Sequence, residues 1–261
     1  RDQPRSRGLG DVYKRQGFEG FELYFQPIYN TDDDSLSGAE ALIRWNSRKY
    51  GFIGPNTFIP LLEDSALIIP LGRWIINTAA KACNRWITSI PDFVMHINLS
   101  FVQIVKSNIV KDVLENIERY SAANNHYVFE ITETIEMDQI PAVQNVFKEF
   151  VKNEFRFAID DFGTGYSNYG YMRDRTFDIV KVDRSFVTDI DKLKDNYLMV
   201  SFIIKMAHEM GLHVCIEGVE TKEELSCVKK LGADYIQGYY YGKPVCLQDF
   251  EEQHLKRFVL G

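Results

Sequence analysis

Residues 155–183 read FRFAIDDFGTGYSNYGYMRDRTFDIVKVD, two strand-like runs on either side of a glycine-rich loop. Side chains alternate faces along a strand, so residues flanking an inward position point outward. Asp160 follows Ile159, and Lys181 lies between Val180 and Val182, which gives each run one polar face and one apolar face. Asp160 and Asp161 are adjacent, and a regular strand cannot turn both inward. The chain must bend there, and Gly163 and Gly165 supply the freedom to do so. A loop so rich in small residues is also a candidate mobile gate.

The same alternation recurs on both sides of this stretch. Gln26 lies between Phe25 and Pro27, Asn98 between Ile97 and Leu99, and Glu130 between Phe129 and Ile131. Glu217 follows Ile216, Gln237 follows Ile236, and Glu40 precedes Ala41. Together these runs mark eight strands: FELYFQPIY, SGAEALIRW, FVMHINLS, HYVFEIT, FRFAIDD, DIVKVD, LHVCIEG and ADYIQG. Amphipathic stretches separate most of them, among them LGRWIINTAAKACNRWI, NIVKDVLENIERYSA, AVQNVFKEFVKN, DKLKDNYLMVSFIIKMAHEMG and KEELSCVKKLG. The last two end in Gly211 and Gly232, which suit helix C-caps.

Repeated strand and helix units in a chain of 261 residues predict an α/β fold, a (β/α)8 TIM-like barrel. The first two strands are joined by the polar turn TDDDSLSG, too short for a parallel crossover, so the first strand should be antiparallel. The charge run Asp32 to Asp34 reads as a solvated turn. Residues 1–16 are basic and aperiodic and read as a non-native or disordered leader, with a linker from an upstream domain as the alternative. The barrel domain is assigned to 17–261.

A formal charge of −7 argues against polymeric nucleic acid as partner. Cys83, Cys215, Cys227 and Cys246 form no Cys-x-x-Cys pair, which fits a reducing, cytoplasmic setting and no zinc framework. No apolar run is long enough for a membrane span. His96, His126, His208, His213 and His254 show no paired ligand spacing and read as packing or surface residues.

Most of the inward polar residues come late in their strands, the end where α/β barrels build active sites. Four or five carboxylates gathered there with one lysine need cations or protons to compensate. Oxygen donors from Glu, Asp and Asn select hard ions such as magnesium or manganese. Lys181 has two readings: a Schiff-base lysine, which needs a depressed pKa, or a charged lysine that orients water or a phosphate oxygen. The surrounding carboxylates favour the second.

The phrases AEALIRW (39–45), INLSFVQ (97–103), FEITET (129–134), IDDFGTGYSN (159–168), VKVDRSF (180–186), IEGVET (216–221) and QGYYYGKP (237–244) closely resemble the EAL-domain family of bacterial cyclic di-GMP phosphodiesterases. The resemblance implies hydrolysis of cyclic di-GMP to linear 5′-pGpG with two Mg2+ or Mn2+ ions, or, as the alternative, a weakly catalytic cyclic di-GMP receptor. It implies one ion held by Glu40, Asn98, Glu130 and Asp160, and a second by Asp160, Asp161 and Glu217. It makes Lys181 and Glu217 catalytic and places Glu133 with them as the brace of the glycine loop. Arg44 and Gln237 become substrate contacts, with Gln26 and Asp183 as weaker candidates. It also implies a homodimer, and sensory or GGDEF segments upstream, through which a membrane tether would act if there is one.

Overall fold

The computed structural model describes residues 18–132, 141–164 and 176–256. The assigned leader, Glu133 and the loop from Gly165 onward lie outside the described residues.

Eight strands close a barrel: β1 (Phe21–Asn30), β2 (Leu36–Ser47), β4 (Val94–Asn98), β5 (Tyr127–Thr132), β6 (Arg156–Phe162), β7 (Ile179–Val182), β8 (His213–Glu217) and β9 (Tyr235–Gln237). The run from β2 through β9 is parallel, whereas β1 pairs antiparallel with both β2 and β9 and so closes the ring. These are the eight strands expected, with the antiparallel start that the short turn requires. Two further short strands, β3 (Gly51–Ile53) and β10 (Val245–Cys246), extend β2 and β1.

In the β1–β2 turn, Asp34 is half exposed yet binds Lys229 Nζ at 2.7 Å and accepts a hydrogen bond from Tyr241. The solvated-turn reading is therefore incomplete, because this residue ties the turn to the helix before the neighbouring strand β9 and to the segment after that strand.

The helices include α1 (Pro55–Asp64), α2 (Ile68–Trp86), α3 (Phe101–Lys106), α4 (Ile109–Ile117), α5 (Pro141–Lys152), α6 (Lys194–Glu209) and α7 (Lys222–Leu231). Each expected helix is present, trimmed or shifted by a few residues at its ends. Helix α7 begins with a capping box in which Thr221 and Glu224 satisfy each other's backbone N–H groups, and it ends at Gly232 with φ 80°. Helices α1 and α3 come in addition. The first starts with Pro55, and the second is capped by Ser100 and Gln103.

Two apolar layers fix the barrel. The larger lies between the sheet and the helices and includes Phe129, Phe157, Val180, Val182, Val214 and Ile216. The smaller fills the inside of the ring: Ile28, Val128, Ala158, Ile179 and Cys215, flanked by Val94 and Tyr235. Every member of this inner plug stands two positions from an inward polar residue, as Val128 does from Glu130 and Ile179 from Lys181. The pleat thus builds a dry floor with a polar layer above it.

Candidate active site

Lys181 is completely buried in β7, and its ammonium is the centre of the polar layer. Its Nζ lies 2.6 Å from Glu217 Oε1, 2.8 Å from Glu130 Oε2, 3.0 Å from Asp160 Oδ1 and 3.5 Å from Glu40 Oε2. An ammonium has three N–H donors and one positive charge, so these four carboxylates outnumber it on both counts. The amides fill in around them. Asn98 Nδ2 donates to Glu40 Oε1 at 2.6 Å, and Gln237 Nε2 donates to Glu40 Oε2 at 2.6 Å and to Gln26 Oε1 at 3.2 Å.

The electrostatics follow from this crowding. Burial opposes the charged form of Lys181, but Asp160, Glu130, Glu217 and Glu40 outweigh it and hold the ammonium well above its usual range. Such a lysine is charged, not the depressed amine a Schiff base needs. Burial also raises Glu40, yet Lys181, Gln237 and Asn98 together leave it below the ordinary glutamate value. Glu130 goes well above that value through burial and repulsion from Glu40. Glu217 is pushed up to about 8, since burial and repulsion from Asp160 and Glu40 exceed the pull of Lys181.

Strand β6 delivers two carboxylates because its pairing with β7 slips between Ile159 and Phe162. Asp161 sits in the left-handed region at φ 54°. Ligand oxygens of Asp160, Asp161 and Glu217 consequently lie within 4.8 Å of one another. Two residues on, Gly163 has φ 97°, and a Cβ there would meet the Phe186 ring at 2.6 Å. The donor set is all oxygen and carries surplus negative charge, which fits hard divalent cations.

Beside the cluster opens a cavity of about 860 Å³, whose lining includes Glu40, Arg44, Asn98, Asp160, Asn56 and Phe101. Its polar end is the carboxylate cluster. Its apolar wall comes from strand β2, helices α1 and α2 and the start of α3.

A family model described as EAL domain matches residues 14–244. This chain belongs to the EAL domain family. It is 32% identical over 228 residues to the cyclic di-GMP phosphodiesterase PdeL of Escherichia coli (strain K12), a match covering 86% of this chain and 62% of PdeL. Among solved structures it resembles the EAL enzyme Bd1971 in its cAMP and cyclic-di-GMP bound form, with TM-score 0.88 and 34% identity over 95% of this chain and 67% of that one. It also resembles the PaMucR phosphodiesterase in its c-di-GMP complex, with TM-score 0.86 and 28% identity over 94% and 99% of the two chains. The chain spans about a third of the length of several curated relatives that it matches.

Within this EAL domain, Glu40, Asn98, Glu130, Asp160, Lys181, Glu217, Gln237 and Gln26 share one polar layer, and Asp161 joins it at the rim. Not all of them come late in their strands. Gln26 and Glu40 stand mid-strand, because β1 and β2 run past the ring to pair with β10 and β3. Arg44 lines the cavity, with its guanidinium 5.8 Å from the Tyr24 ring centre and Nη1 donating to the Ile43 carbonyl. Asp183 caps the short turn Arg184–Phe186 through Ser185 N at 3.0 Å. It faces Asp161 closely enough to help raise that carboxyl, after burial and Asp160.

The packing reading of His96 needs correction. It is buried in the polar layer, and its Nδ1 is 2.7 Å from Glu130 Oε1. Burial and the nearby Lys181 push it down to about 3, so the ring is neutral, and we assign the tautomer that carries its proton on Nδ1, facing Glu130 Oε1. Its place between Met95 and Ile97 carried the same inward parity as the other polar residues. His208 and His213 likewise do more than fill space, since both grip Asp234, at 2.8 and 3.2 Å.

Proposed function

We propose that this EAL domain hydrolyses one phosphodiester of cyclic di-GMP to linear 5′-pGpG, assisted by two Mg2+ or Mn2+ ions. The observation that carries the reading is one buried ammonium among four carboxylates from four strands, with Asp161 alongside. The likeness to PdeL and to the two ligand-bound structures supports the choice of substrate.

Glu40, Asn98, Glu130 and Asp160 would hold one ion, and Asp160, Asp161 and Glu217 the second, with Asp160 shared. When bound, such ions supply charge neutralisation, activation of water and stabilisation of the leaving oxygen. Water adds to phosphorus, the bond to one ribose oxygen breaks, and a proton reaches that oxygen. Lys181, charged and surrounded by its carboxylate neighbours, orients the attacking water or a phosphate oxygen. Glu217, 2.6 Å from the Lys181 ammonium, is assigned to assist the proton transfer. Arg44, on the cavity wall, and Gln237, buried beside Glu40 and held by Gln26, are assigned as substrate contacts. Asp183 sets the turn beside Asp161. Glu133 is assigned the bracing of the glycine loop. Cyclic di-GMP is an intracellular messenger, so the domain is assigned to the cytoplasm, and no described helix is long and apolar enough to cross a membrane.

The domain is further proposed to pair with a second copy through α6. Leu198, Met199 and Phe202 form a stripe on that helix, 54%, 48% and 58% exposed. An antiparallel two-fold pairing at the level of Val200 sets Leu198 of one copy against Phe202 of the other. The same pairing sets Asp195 against Lys205, so apolar and charged positions match at once.

The decisive experiment follows products from purified protein and cyclic di-GMP with magnesium, manganese, calcium or EDTA. The reading expects pGpG with magnesium or manganese, none with EDTA, and none from Glu40→Ala. Saturable binding with no product under any ion would instead make the domain a receptor.

A further inference from the structure

Glu130 has both carboxylate oxygens engaged from opposite sides. Oε2 faces Lys181 Nζ at 2.8 Å across the top of the polar layer, and Oε1 faces His96 Nδ1 at 2.7 Å from the layer's edge. His96 is 3% exposed and Glu130 1%, so both contacts are made within the buried layer. The imidazole is fixed by the sheet. His96 stands opposite Glu40 in the β2–β4 ladder and opposite Val128 in the β4–β5 ladder, one pleat below Asn98.

We propose that His96 is a positioning residue for cation binding: by holding Oε1 it limits Glu130 to offering the single oxygen Oε2, which shares the Lys181 ammonium with Asp160 and Glu40. This rests on the reading above that Glu130 is a cation ligand. Three consequences follow. Glu130 binds through one oxygen, not two. Lys181 and a cation share Oε2, so Lys181 adjusts when the ion arrives while His96 does not. Losing His96 leaves the carboxyl free to rotate, or to chelate through both oxygens, and outer contacts of this kind are typically worth about 10- to 100-fold in metal affinity.

The test is Mn2+ binding to the purified domain without substrate, followed by calorimetry and by the Mn2+ spin-resonance signal, for the natural protein, Glu130→Gln, His96→Leu and His96→Asn. Asparagine places its amide N–H near the position of Nδ1, whereas leucine keeps bulk and removes the donor. Expected are affinity lowered about tenfold in His96→Leu, affinity near that of the natural protein in His96→Asn, and a comparable or larger loss in Glu130→Gln. With substrate, kcat should fall in His96→Leu while KM stays. Thermal melts in EDTA check folding, and if His96→Leu fails to fold, His96→Gln takes its place, since its longer amide misses the Nδ1 position. Unchanged affinity in the donor-lacking variant alongside a loss in Glu130→Gln would overturn the inference and leave the ligand reading standing. Unchanged affinity in Glu130→Gln would overturn the ligand reading itself, and the inference with it.

Discussion

Asp160 and Asp161 are consecutive in β6, yet their carboxylates and that of Glu217 bring oxygens within 4.8 Å of one another, because Asp161 adopts φ 54°. A left-handed backbone costs a non-glycine residue about 1–2 kcal/mol. The strain is local and sits where the second cation is assigned, which suggests a direct trade between stability and turnover. Asp161→Gly should raise the melting temperature, by a gain of about 1 kcal/mol in stability, while abolishing most activity. Asp161→Asn, whose side chain tolerates the same backbone, should melt like the natural protein and still lose activity sharply. Melting curves beside turnover measurements check both, and natural-level rates in Asp161→Asn would contradict the assignment.

Lys181 neutralises the polar layer from inside. Lys181→Met removes the ammonium facing Glu40, Glu130, Asp160 and Glu217 and leaves buried charges unpaired, a loss of about 3–5 kcal/mol. Divalent ions should then rescue stability more strongly in this variant than in the natural protein. Thermal melts in EDTA and in millimolar Mn2+ measure the difference, and equal shifts in both proteins would count against a shared electrostatic site.

Cation binding should strengthen with pH. Glu217 is held up to about 8 by burial and by its carboxylate neighbours against Lys181, and Glu130 is raised as well. Their protons must leave before the oxygens can act as ligands. For the metal-free fold the sign is opposite: a carboxyl raised from 4.5 to about 8 binds its proton more tightly when folded, so stability falls as pH rises from about 4.5 toward 8. Mn2+ titrations at pH 6.5 and 8.5, roughly bracketing that value, should show tighter binding at the higher pH and net proton release. Affinity independent of pH would rule this out.

Far from the cavity, Asp234 behaves in the reverse way. Burial raises it, but His213, His208 and the Val214 N–H outweigh that and hold it at about 2, against 3.8 unperturbed. Its stabilisation is complete above 3.8 and is lost as pH falls through about 2. Asp234→Ala should cost on the order of 1–2 kcal/mol at neutral pH and leave turnover unchanged. Chemical denaturation at pH 7 and pH 3 reads the difference, which should shrink at the lower value.

Much of this architecture was legible because each barrel strand carries an inward polar residue next to an apolar one, a period-two signal that survives in runs as short as IVKV. Lys181 and Glu217 were recoverable for that reason. Strands β3 and β10 were not, since three and two residues hold no period and depend on pairing with the overlong β2 and β1. Helix α3 did leave a sign, Ser100 followed three residues later by Gln103, but its six residues are too few for an amphipathic pattern. His96 has the right parity, but its partner Glu130 lies 34 residues away on the neighbouring strand, a pairing that no spacing along the sequence marks.

Every step above needs divalent ions in the polar layer, so the most direct measurement is the number of Mn2+ ions bound per chain at about pH 8.5, by equilibrium dialysis with cyclic di-GMP present and Lys181 intact. Two ions in the natural protein, one in Asp161→Asn and fewer than one in Glu40→Ala are expected. No saturable binding in the natural protein, or the same stoichiometry in all three, would contradict it.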